Sequence, residues 1–291
     1  MRIGAIEAGG TKIVCGIGNE QGIIEDRVSF PTEQPDKTIR KMVEYFQGKQ
    51  VDAIGIGSFG PINIDRSSPE YGYVTTTPKP GWSNYPFLPT LQREFDIPFG
   101  WDTDVNAAAF GEATWGAARG LDSCLYYTIG TGIGVGVYAE GKLVHGLLHP
   151  EGGHILTRRH PDDSYEGFCP YHGDCLEGMA AGPAIERRWK AKGSELPQDH
   201  PAWAMEAFYI GQAVAGSILL LSPKKVILGG GVMHQSQLFP MIREEVRRNL
   251  NGYVSAEAIL ESAIDDYIVP PSLGDNAGLC GSLALGLKAL Q

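Results

Sequence analysis

The chain has 291 residues, 43% hydrophobic and 20% charged, which is enough to bury one large core or two smaller ones. The formal net charge of −10 gives no support to a general binder of nucleic acid or of anionic membranes. Five cysteines are an odd number, which argues against a disulfide framework, and no secretory signal pattern opens the chain. We therefore expect a cytoplasmic protein with no nucleic-acid partner and no membrane partner.

The first half of the chain predicts a β-hairpin, a helix and a buried strand, in that order. RIGAIEAGGTKIVCGIGN (2–19) has two apolar runs joined by a glycine turn, and PDKTIRKMVEYFQGK (35–49) has a helical pattern. DAIGIGSFGPI (52–62) indicates a strand that ends in glycines. Its GIGSFG matches G-x-G-x-x-G, but Pro61 follows where a dinucleotide site needs a helix, so we reject that interpretation.

The second half repeats this organisation. SCLYYTIGTGIGVGVYAEGKLVHG (123–146) predicts another hairpin, and AFYIGQAVAGSILLLSP (207–223) predicts a buried helix that is short for a membrane span. KKVILGGGVMHQSQLFPMIREEVRRNL (224–250) predicts a strand, a glycine turn and an amphipathic helix. IVPPSLGDNAGLCGSLALGLKAL (268–290) predicts a strand end and a closing helix. Alternating strands and helices in two similar halves predict an α/β fold.

Glycine turns occur at the start of both hairpins and after one strand. Glycine lets backbone amides approach phosphate oxygens, and the neighbouring threonine and lysine side chains add donors. Taken alone, each of the two hairpin turns is more simply an ordinary turn, and neither of these two is a Walker A loop. Occurring together, they are typical of the actin-like ATPases, so we expect the turns to bind a nucleotide. The residues concerned are Gly9, Gly10, Thr11, Lys12, Gly130, Thr131, Gly132, Gly229, Gly230 and Gly231.

A series of motifs between residue 7 and about 284 resembles the ROK family of bacterial sugar kinases, and within it the zinc-containing fructokinases. In order, they are EAGGTK, GIGSFGPI, DVNAAAFGE, GTGIGVG, EGGH, CPYHGDCLEG and LGGGV. The resemblance implies an actin-like ATPase (ribonuclease H-like) fold with two similar domains around a cleft. The small domain would comprise residues 1–112 and 276–291, and the large one 113–275. Glu7 stands where the family usually has Asp.

WDTDVNAAAFGE places two carboxylates between a predicted strand and a predicted helix. A carboxylate there lies near a helix N-terminus, which favours its ionised form and suits a general base. The residues alone leave open that either Asp only caps the helix. The resemblance implies that Asp104 is the general base and that Asn106 positions the substrate or the loop. We interpret Asp102 as the cap or strand-end residue.

CPYHGDC offers three metal ligands, Cys169, His172 and Cys175. A tetrahedral zinc site needs a fourth, and His154 in EGGH is the first candidate, with His160 as the alternative. The spacing alone leaves a coincidence in a loop open, but the resemblance to the family's zinc segment favours the metal. We expect the other histidines to be surface residues, namely His145, His149, His200 and His234.

The resemblance also implies residues for the sugar and the adenine. Glu151 and Glu177 would accept hydrogen bonds from sugar hydroxyls, together with His154. Pro183 would line the adenine pocket with the 229–231 turn, although the residues alone give it only helix initiation. Basic residues are expected on solvated helix faces, namely Arg187, Arg188, Lys190, Lys192, Arg243, Arg247 and Arg248.

These expectations describe an ATP-dependent kinase that phosphorylates a hexose at its 6-hydroxyl, with D-fructose favoured. Mg²⁺ would accompany ATP and Zn²⁺ would be structural. One alternative is a mannokinase, a glucokinase or a hexokinase of broad specificity. Another is a sugar-responsive ROK repressor, which would carry a winged helix before the first glycine loop and which the acidic balance disfavours. The family resemblance implies a homodimer.

Overall fold

The computed structural model describes residues 1–291, which form two compact units. Unit 1 comprises Met1–Asp122, Gly136–Pro150 and Ser272–Gln291, and unit 2 comprises Ser123–Val135 and Glu151–Pro271. Unit 1 thus includes a middle segment in addition to the two segments expected for the small domain. This segment is held there by the Val137 amide, which donates to Asn106 Oδ1 at 3.3 Å.

The chain forms ten strands and nine α-helices. The strands are β1 Ile3–Ala8, β2 Lys12–Gly18, β3 Ile24–Pro31, β4 Ala53–Ser58, β5 Phe99–Thr103, β6 Cys124–Ile129, β7 Ile133–Ala139, β8 Lys142–Leu143, β9 Val226–Gly229 and β10 Ile268–Val269. The helices are α1 Pro35–Phe46, α2 Phe87–Glu94, α3 Asp104–Thr114, α4 Leu176–Ala180, α5 Gly182–Trp189, α6 Ala202–Leu221, α7 Leu238–Leu250, α8 Ile264–Tyr267 and α9 Ala277–Lys288.

The sheet of unit 1 has the strand order β3-β2-β1-β4-β5. β1 and β2 form the predicted antiparallel hairpin, whereas β1, β4 and β5 run parallel. The carboxyl ends of β1, β4 and β5 therefore meet at one edge of the sheet, where ligands bind in open α/β sheets. No helix begins between β4 and Phe87, which agrees with the rejection of a dinucleotide site.

Helix α9 covers this sheet at very close range. A Cβ atom added at Gly281 would lie 1.8 Å from the Ala107 carbonyl oxygen of α3, so only glycine permits this approach. A further apolar cluster includes Ile6, Ile56 and Trp82, each with no exposed surface. These contacts fix the strands whose ends carry the candidate site.

The second sheet has the order β10-β9-β6-β7-β8, with β6, β9 and β10 parallel. The helices of unit 2 are α4 to α8. Helix α6 is long and apolar enough to cross a membrane by length and composition, but half of its most apolar window is buried. This burial is what the sequence predicts for a core helix that packs against other parts of its unit.

Candidate active site and metal centre

Asp104 is the first residue of α3, directly after the carboxyl end of β5. The N-cap is Thr103, whose hydroxyl accepts a hydrogen bond from the Asn106 amide at 3.1 Å. Asp104 therefore does not fill the capping role that the sequence left open. Its Oδ1 accepts from the Val105 amide at 2.8 Å, and the side chain is only partly buried. A carboxylate at this helix N-terminus is stabilised in the ionised form that a general base requires.

Asp102 and Asn106 form a buried pair beneath Asp104. Asp102 Oδ1 accepts hydrogen bonds from Asn106 Nδ2 and from the Thr103 amide, both at 2.8 Å. Its Oδ2 lies 2.8 Å from His145 Nε2. Asn106 is fully buried, and both ends of its amide are bonded within unit 1. This geometry favours the positioning role for Asn106, and Asp102 lies in the strand rather than at the cap.

His149 is 5% exposed, so the expectation that it is a surface residue was wrong. Its Nε2 lies 3.0 Å from the Ile62 backbone amide, which donates to it, so this nitrogen carries no proton. Burial lowers the pKa of His149, while Asp102 raises it and His145 lowers it further. His149 thereby fixes the loop that follows β4, next to the strand that leads to Asp104.

The first glycine loop is closed by its own backbone. The Gly9 amide donates to the Lys12 carbonyl at 3.0 Å, and Gly10, Thr11 and Lys12 are exposed. Glu7 lies just before this loop in β1, where burial raises the pKa of its carboxyl group. The charge of Lys12 opposes this shift. The loop therefore presents an ammonium group and a hydroxyl group beside a half-buried acid.

The second glycine loop lies against α5 and Glu177. The Gly130 carbonyl accepts from the Gly182 amide at 2.7 Å, and Glu177 Oε2 accepts from the Ile133 amide at 2.9 Å. Thr131 is exposed between these contacts, and Pro183 is the second residue of α5. The loop thus joins the helix start expected at the adenine to an acid expected at the sugar.

The 229–231 turn follows directly from β9. Gly229 ends the strand, Gly230 has a φ of +89°, and Gly231 begins a short 3-10 helix. A Cβ atom added at Gly130 would lie 3.9 Å from the Gly231 amide nitrogen. Unit 2 therefore brings together both of its predicted nucleotide-binding turns.

Four predicted metal ligands converge in unit 2. The ligand atoms of His154, Cys169, His172 and Cys175 lie within 4.8 Å of one another. Cys169 Sγ is 3.7 Å from the Nδ1 atoms of both histidines, and Cys175 Sγ is 3.5 Å from His154 Nδ1. Tetrahedral zinc with bonds of about 2.0 Å to nitrogen and 2.3 Å to sulfur separates its ligands by about 3.5 Å. The cluster therefore fits Zn²⁺, and His160 is not part of it.

The donor set of this cluster also suits Zn²⁺. Burial raises the pKa of the Cys175 thiol to about 11, with Cys169 and Glu177 adding to the shift. A cation bound to this sulfur would stabilise the thiolate and so lower its pKa. A Cys2His2 set with Zn²⁺ is neutral overall, which suits a buried structural site.

Glu151 and Glu177 lie near the metal ligands. The Glu151 carbonyl accepts from the His154 amide at 3.0 Å, and Glu177 follows Cys175 by two residues in α4. Partial burial and the charge of Glu177 raise the pKa of Glu151 to about 7. Hydrogen bonds donated by the hydroxyls of a bound ligand would favour the ionised form of Glu151 and so lower this pKa.

Two basic residues are not on solvated helix faces as expected. The Arg188 side chain is 7% exposed and that of Arg243 is 15% exposed. Arg243 of α7 donates to the carbonyl of Ile268 in β10. Arg188 forms buried ion pairs with Asp163 and Glu206. No periodic signal distinguishes Arg188 from its exposed neighbour Arg187, because the burial comes from segments distant in sequence.

Comparison with known proteins agrees with this arrangement. The ROK family model matches residues 3–289. A Bacillus subtilis (strain 168) protein is 56% identical over 289 residues, covering 99% of this chain and 96% of its own. The fructokinase of Pediococcus pentosaceus is 48% identical over 291 residues, covering 100% and 99%.

A solved structure shows the same fold. The ROK glucokinase of Streptomyces griseus, in complex with glucose and AMPPNP, superposes with a TM-score of 0.79 at 26% identity, covering 99% of this chain and 100% of that one. The predicted two-domain actin-like ATPase fold is therefore confirmed. The chain belongs to the ROK family.

Proposed function

We propose that this protein transfers the γ-phosphoryl group of ATP to the 6-hydroxyl of D-fructose, giving fructose 6-phosphate. The observation that carries the proposal is the position of Asp104, a partly buried carboxylate at the start of α3 whose capping role is taken by Thr103. The fructokinase of Pediococcus pentosaceus, 48% identical over the whole chain, supports fructose as the sugar.

Asp104 is the general base in this proposal. It accepts the proton of the 6-hydroxyl as the oxygen attacks the γ-phosphorus, and ADP leaves. Phosphoryl transfer requires mainly positioning and charge neutralisation, so a single base is sufficient. Asn106 keeps α3 and the following residues in place through its buried bonds to Asp102 and Val137.

The glycine turns bind the nucleotide, and Mg²⁺ would accompany its phosphates. Backbone amides and small side chains contact the phosphates, and Pro183 and the 229–231 turn contact the adenine. The proposed residues are Gly9, Gly10, Thr11, Lys12, Gly130, Thr131, Gly132, Pro183, Gly229, Gly230 and Gly231. The exposure of Thr11, Lys12 and Thr131 supports this assignment.

The sugar hydroxyls are bound by Glu151, Glu177 and His154. His154 Nδ1 faces the cysteine sulfurs, so its Nε2 is the nitrogen that a sugar hydroxyl reaches. Zn²⁺ would be held by His154, Cys169, His172 and Cys175, and its role would be structural. It would crosslink the segment after Glu151 to the segment before Glu177 and supply no chemical step.

The protein is further proposed to be cytoplasmic and to form a homodimer. Glucose is the second candidate sugar, because the Streptomyces griseus glucokinase with bound glucose has the same fold over nearly the whole chain. Mannose is a further candidate sugar, and the assay described next includes it.

A coupled ADP-release assay with fructose, mannose, glucose and N-acetylated hexoses tests the function. Conversion of the product by phosphoglucose isomerase distinguishes phosphorylation of fructose at its 6-hydroxyl from that at other hydroxyls. We expect fructose to give the highest kcat/KM. A higher value for glucose or mannose would replace fructose as the proposed substrate. If no sugar stimulates ADP release, the proposed kinase activity is refuted.

A further inference from the structure

Arg188 lies at the centre of a buried polar cluster in unit 2. Its Nε and Nη2 atoms donate to the two oxygens of Asp163 at 3.2 and 3.0 Å. The two side chains are 7% and 2% exposed. This two-point contact fixes the plane of the guanidinium group as well as its distance from the carboxylate.

The same guanidinium group also contacts two helices. Nη2 donates to the Met179 carbonyl of α4 at 2.8 Å, and Nη1 donates to Glu206 Oε1 of α6 at 3.4 Å. Glu206 has no exposed surface, and burial raises the pKa of its carboxyl group well above the usual value. The charge of Arg188 opposes this shift, and Asp163 provides the closer carboxylate, with both of its oxygens within 3.2 Å of guanidinium nitrogens.

Asp163 in turn organises the loop between the metal ligands His154 and Cys169. Its Oδ1 accepts from the Tyr165 amide at 3.0 Å, and its Oδ2 accepts from the Tyr209 hydroxyl at 2.7 Å. The Tyr209 oxygen accepts from the His160 amide at 3.2 Å. The cluster thus fixes the backbone of this loop at two points.

Arg188 connects the loop between His154 and Cys169 to helix α4, which follows Cys175. Fourteen residues separate His154 from Cys169, and that interval contains no helix or strand. Helix α4 begins directly after Cys175 and carries Glu177. Arg188 joins the loop to the end of α4, so both parts are held by contacts that involve no metal.

A buried ion pair is weak evidence for stability, because an apolar replacement of both partners is often as stable. What it supplies is a defined arrangement, since only one geometry satisfies its donors and acceptors. An irregular loop that must bring ligands together loses chain entropy when it binds metal. A loop that is already fixed loses less.

We propose that Arg188 is a positioning residue, which holds the Asp163 loop against α4 and so keeps the metal ligands and Glu177 in place before metal binds. The claim about Glu177 rests on the proposed function, because it is tested through the KM for fructose. The claim about the metal ligands is tested by metal binding alone, so it can hold even if the proposed sugar is wrong.

The test measures Co²⁺ binding to metal-free protein through the thiolate-to-cobalt absorption bands. Outer-sphere partners of metal ligands typically contribute about 10–100-fold in metal affinity. We expect Arg188→Met to weaken Co²⁺ binding by about tenfold or more. We also expect it to raise the KM for fructose more than it lowers kcat.

Arg188→Met leaves Asp163 buried without its partner, which can unfold the protein. The double variant Arg188→Met/Asp163→Leu removes both charges together and keeps the side-chain volume. We expect it to fold and still to bind Co²⁺ about tenfold more weakly. Binding as tight as that of the unmodified protein overturns the proposal.

Two controls separate positioning from general loss of stability. Arg159 lies in the same loop as Asp163, and Arg159→Met breaks its exposed pair with Asp174, where the side chains are 37% and 50% exposed; we expect unchanged Co²⁺ affinity. Ile242→Val makes a small cavity in the buried face of α7. Weakening of Co²⁺ binding by Ile242→Val to the same degree would overturn the proposal.

Discussion

Glu177 Oε2 accepts a hydrogen bond from the Ile133 backbone amide at 2.9 Å. This bond ties a residue proposed to bind the sugar to the loop proposed to bind the nucleotide. The carboxylate approaches the loop so closely that a Cβ atom at Gly132 would lie 2.6 Å from Oε2. The glycine is needed here to leave room for an acid as well as to expose the backbone.

Gly132→Ala is expected to displace the Glu177 carboxylate and to raise the KM for fructose. Loss of one hydrogen bond to a charged group costs about 1.5–3 kcal/mol, which corresponds to roughly ten- to hundredfold. Steady-state kinetics with varied fructose measure the change. Gly216→Ala, where no atom lies within 4 Å of the new Cβ, serves as the control. An unchanged KM for fructose in Gly132→Ala would contradict the assignment of Glu177 to the sugar.

Asp104→Asn is expected to lower kcat by about 10²-fold or more, because the amide cannot accept the hydroxyl proton. The KM for fructose should change much less, since the other sugar contacts remain. The Asn oxygen can still accept from the Val105 amide, so the melting temperature should be nearly unchanged. A variant that turns over at a normal rate with saturating fructose would refute the general-base role.

The buried His149 predicts an acid-sensitive stability. The pKa of the folded imidazole is lowered from its ordinary value of about 6.5, so the unfolded chain binds more protons below that pH. The contribution of His149 is therefore complete above about pH 6.5 and is lost progressively as the pH falls toward the folded pKa. Urea unfolding between pH 5 and 8 measures this slope, in roughly half-unit steps of pH.

Two variants isolate the residue responsible for that slope. His149→Gln should flatten the slope, and the exposed His234→Gln should leave it unchanged. A steeper slope in His149→Gln would reverse the sign and contradict a neutral imidazole at the Ile62 amide.

Treatment with a chelator that removes the proposed zinc is expected to lower the melting temperature by about 5 °C or more, because a metal that binds only the folded chain stabilises it. Cys175→Ser should lower it to a similar extent and abolish the response to the chelator. Elemental analysis should find one zinc per chain. If the stripped protein melts at the original temperature, the cluster does not hold a structural metal.

Glu112 predicts a large effect on stability from a residue outside the site. It has no exposed surface, and its carboxylate accepts from the amides of Ala117, Ser272 and Leu273. Glu112→Ala removes the acceptor of all three amides and leaves a cavity at a fully buried position, which should lower the free energy of unfolding by about 2 kcal/mol or more. Urea denaturation measures this, with the exposed Glu44→Ala as control. A loss no larger than that of Glu44→Ala would show that water replaces the carboxylate.

Elements bounded by glycine turns or formed from long apolar runs could be predicted from the sequence. The hairpin β1–β2, helix α7 and helix α9 all carry such signals. Strand β3 was not predicted, because its sequence, IEDRVSFP, shows no clean alternation of apolar and polar residues, and six of its eight residues are exposed. Its place in the sheet comes from pairing with β2.

Some residues of the candidate site could likewise be predicted from the sequence, and others could not. The three ligands in CPYHGDC could be predicted because they lie close together in the sequence, and His154 was predicted from the EGGH motif. His149 and Arg188 were missed because their partners, Ile62 and Asp163, lie 87 and 25 residues away. Burial of a polar side chain depends on which distant segment folds over it, and no local pattern contains that information.

The close contact of α9 with α3 constrains how the protein can be made. The ribosome must synthesise all of unit 2's second segment, Glu151–Pro271, before α9 emerges. Until then Ile3, Ala5 and Val14, which pack against Leu279 and Leu283 of α9, lack those partners. A chaperone that binds nascent chains would therefore find its longest-lived target in the part of the protein that is translated first.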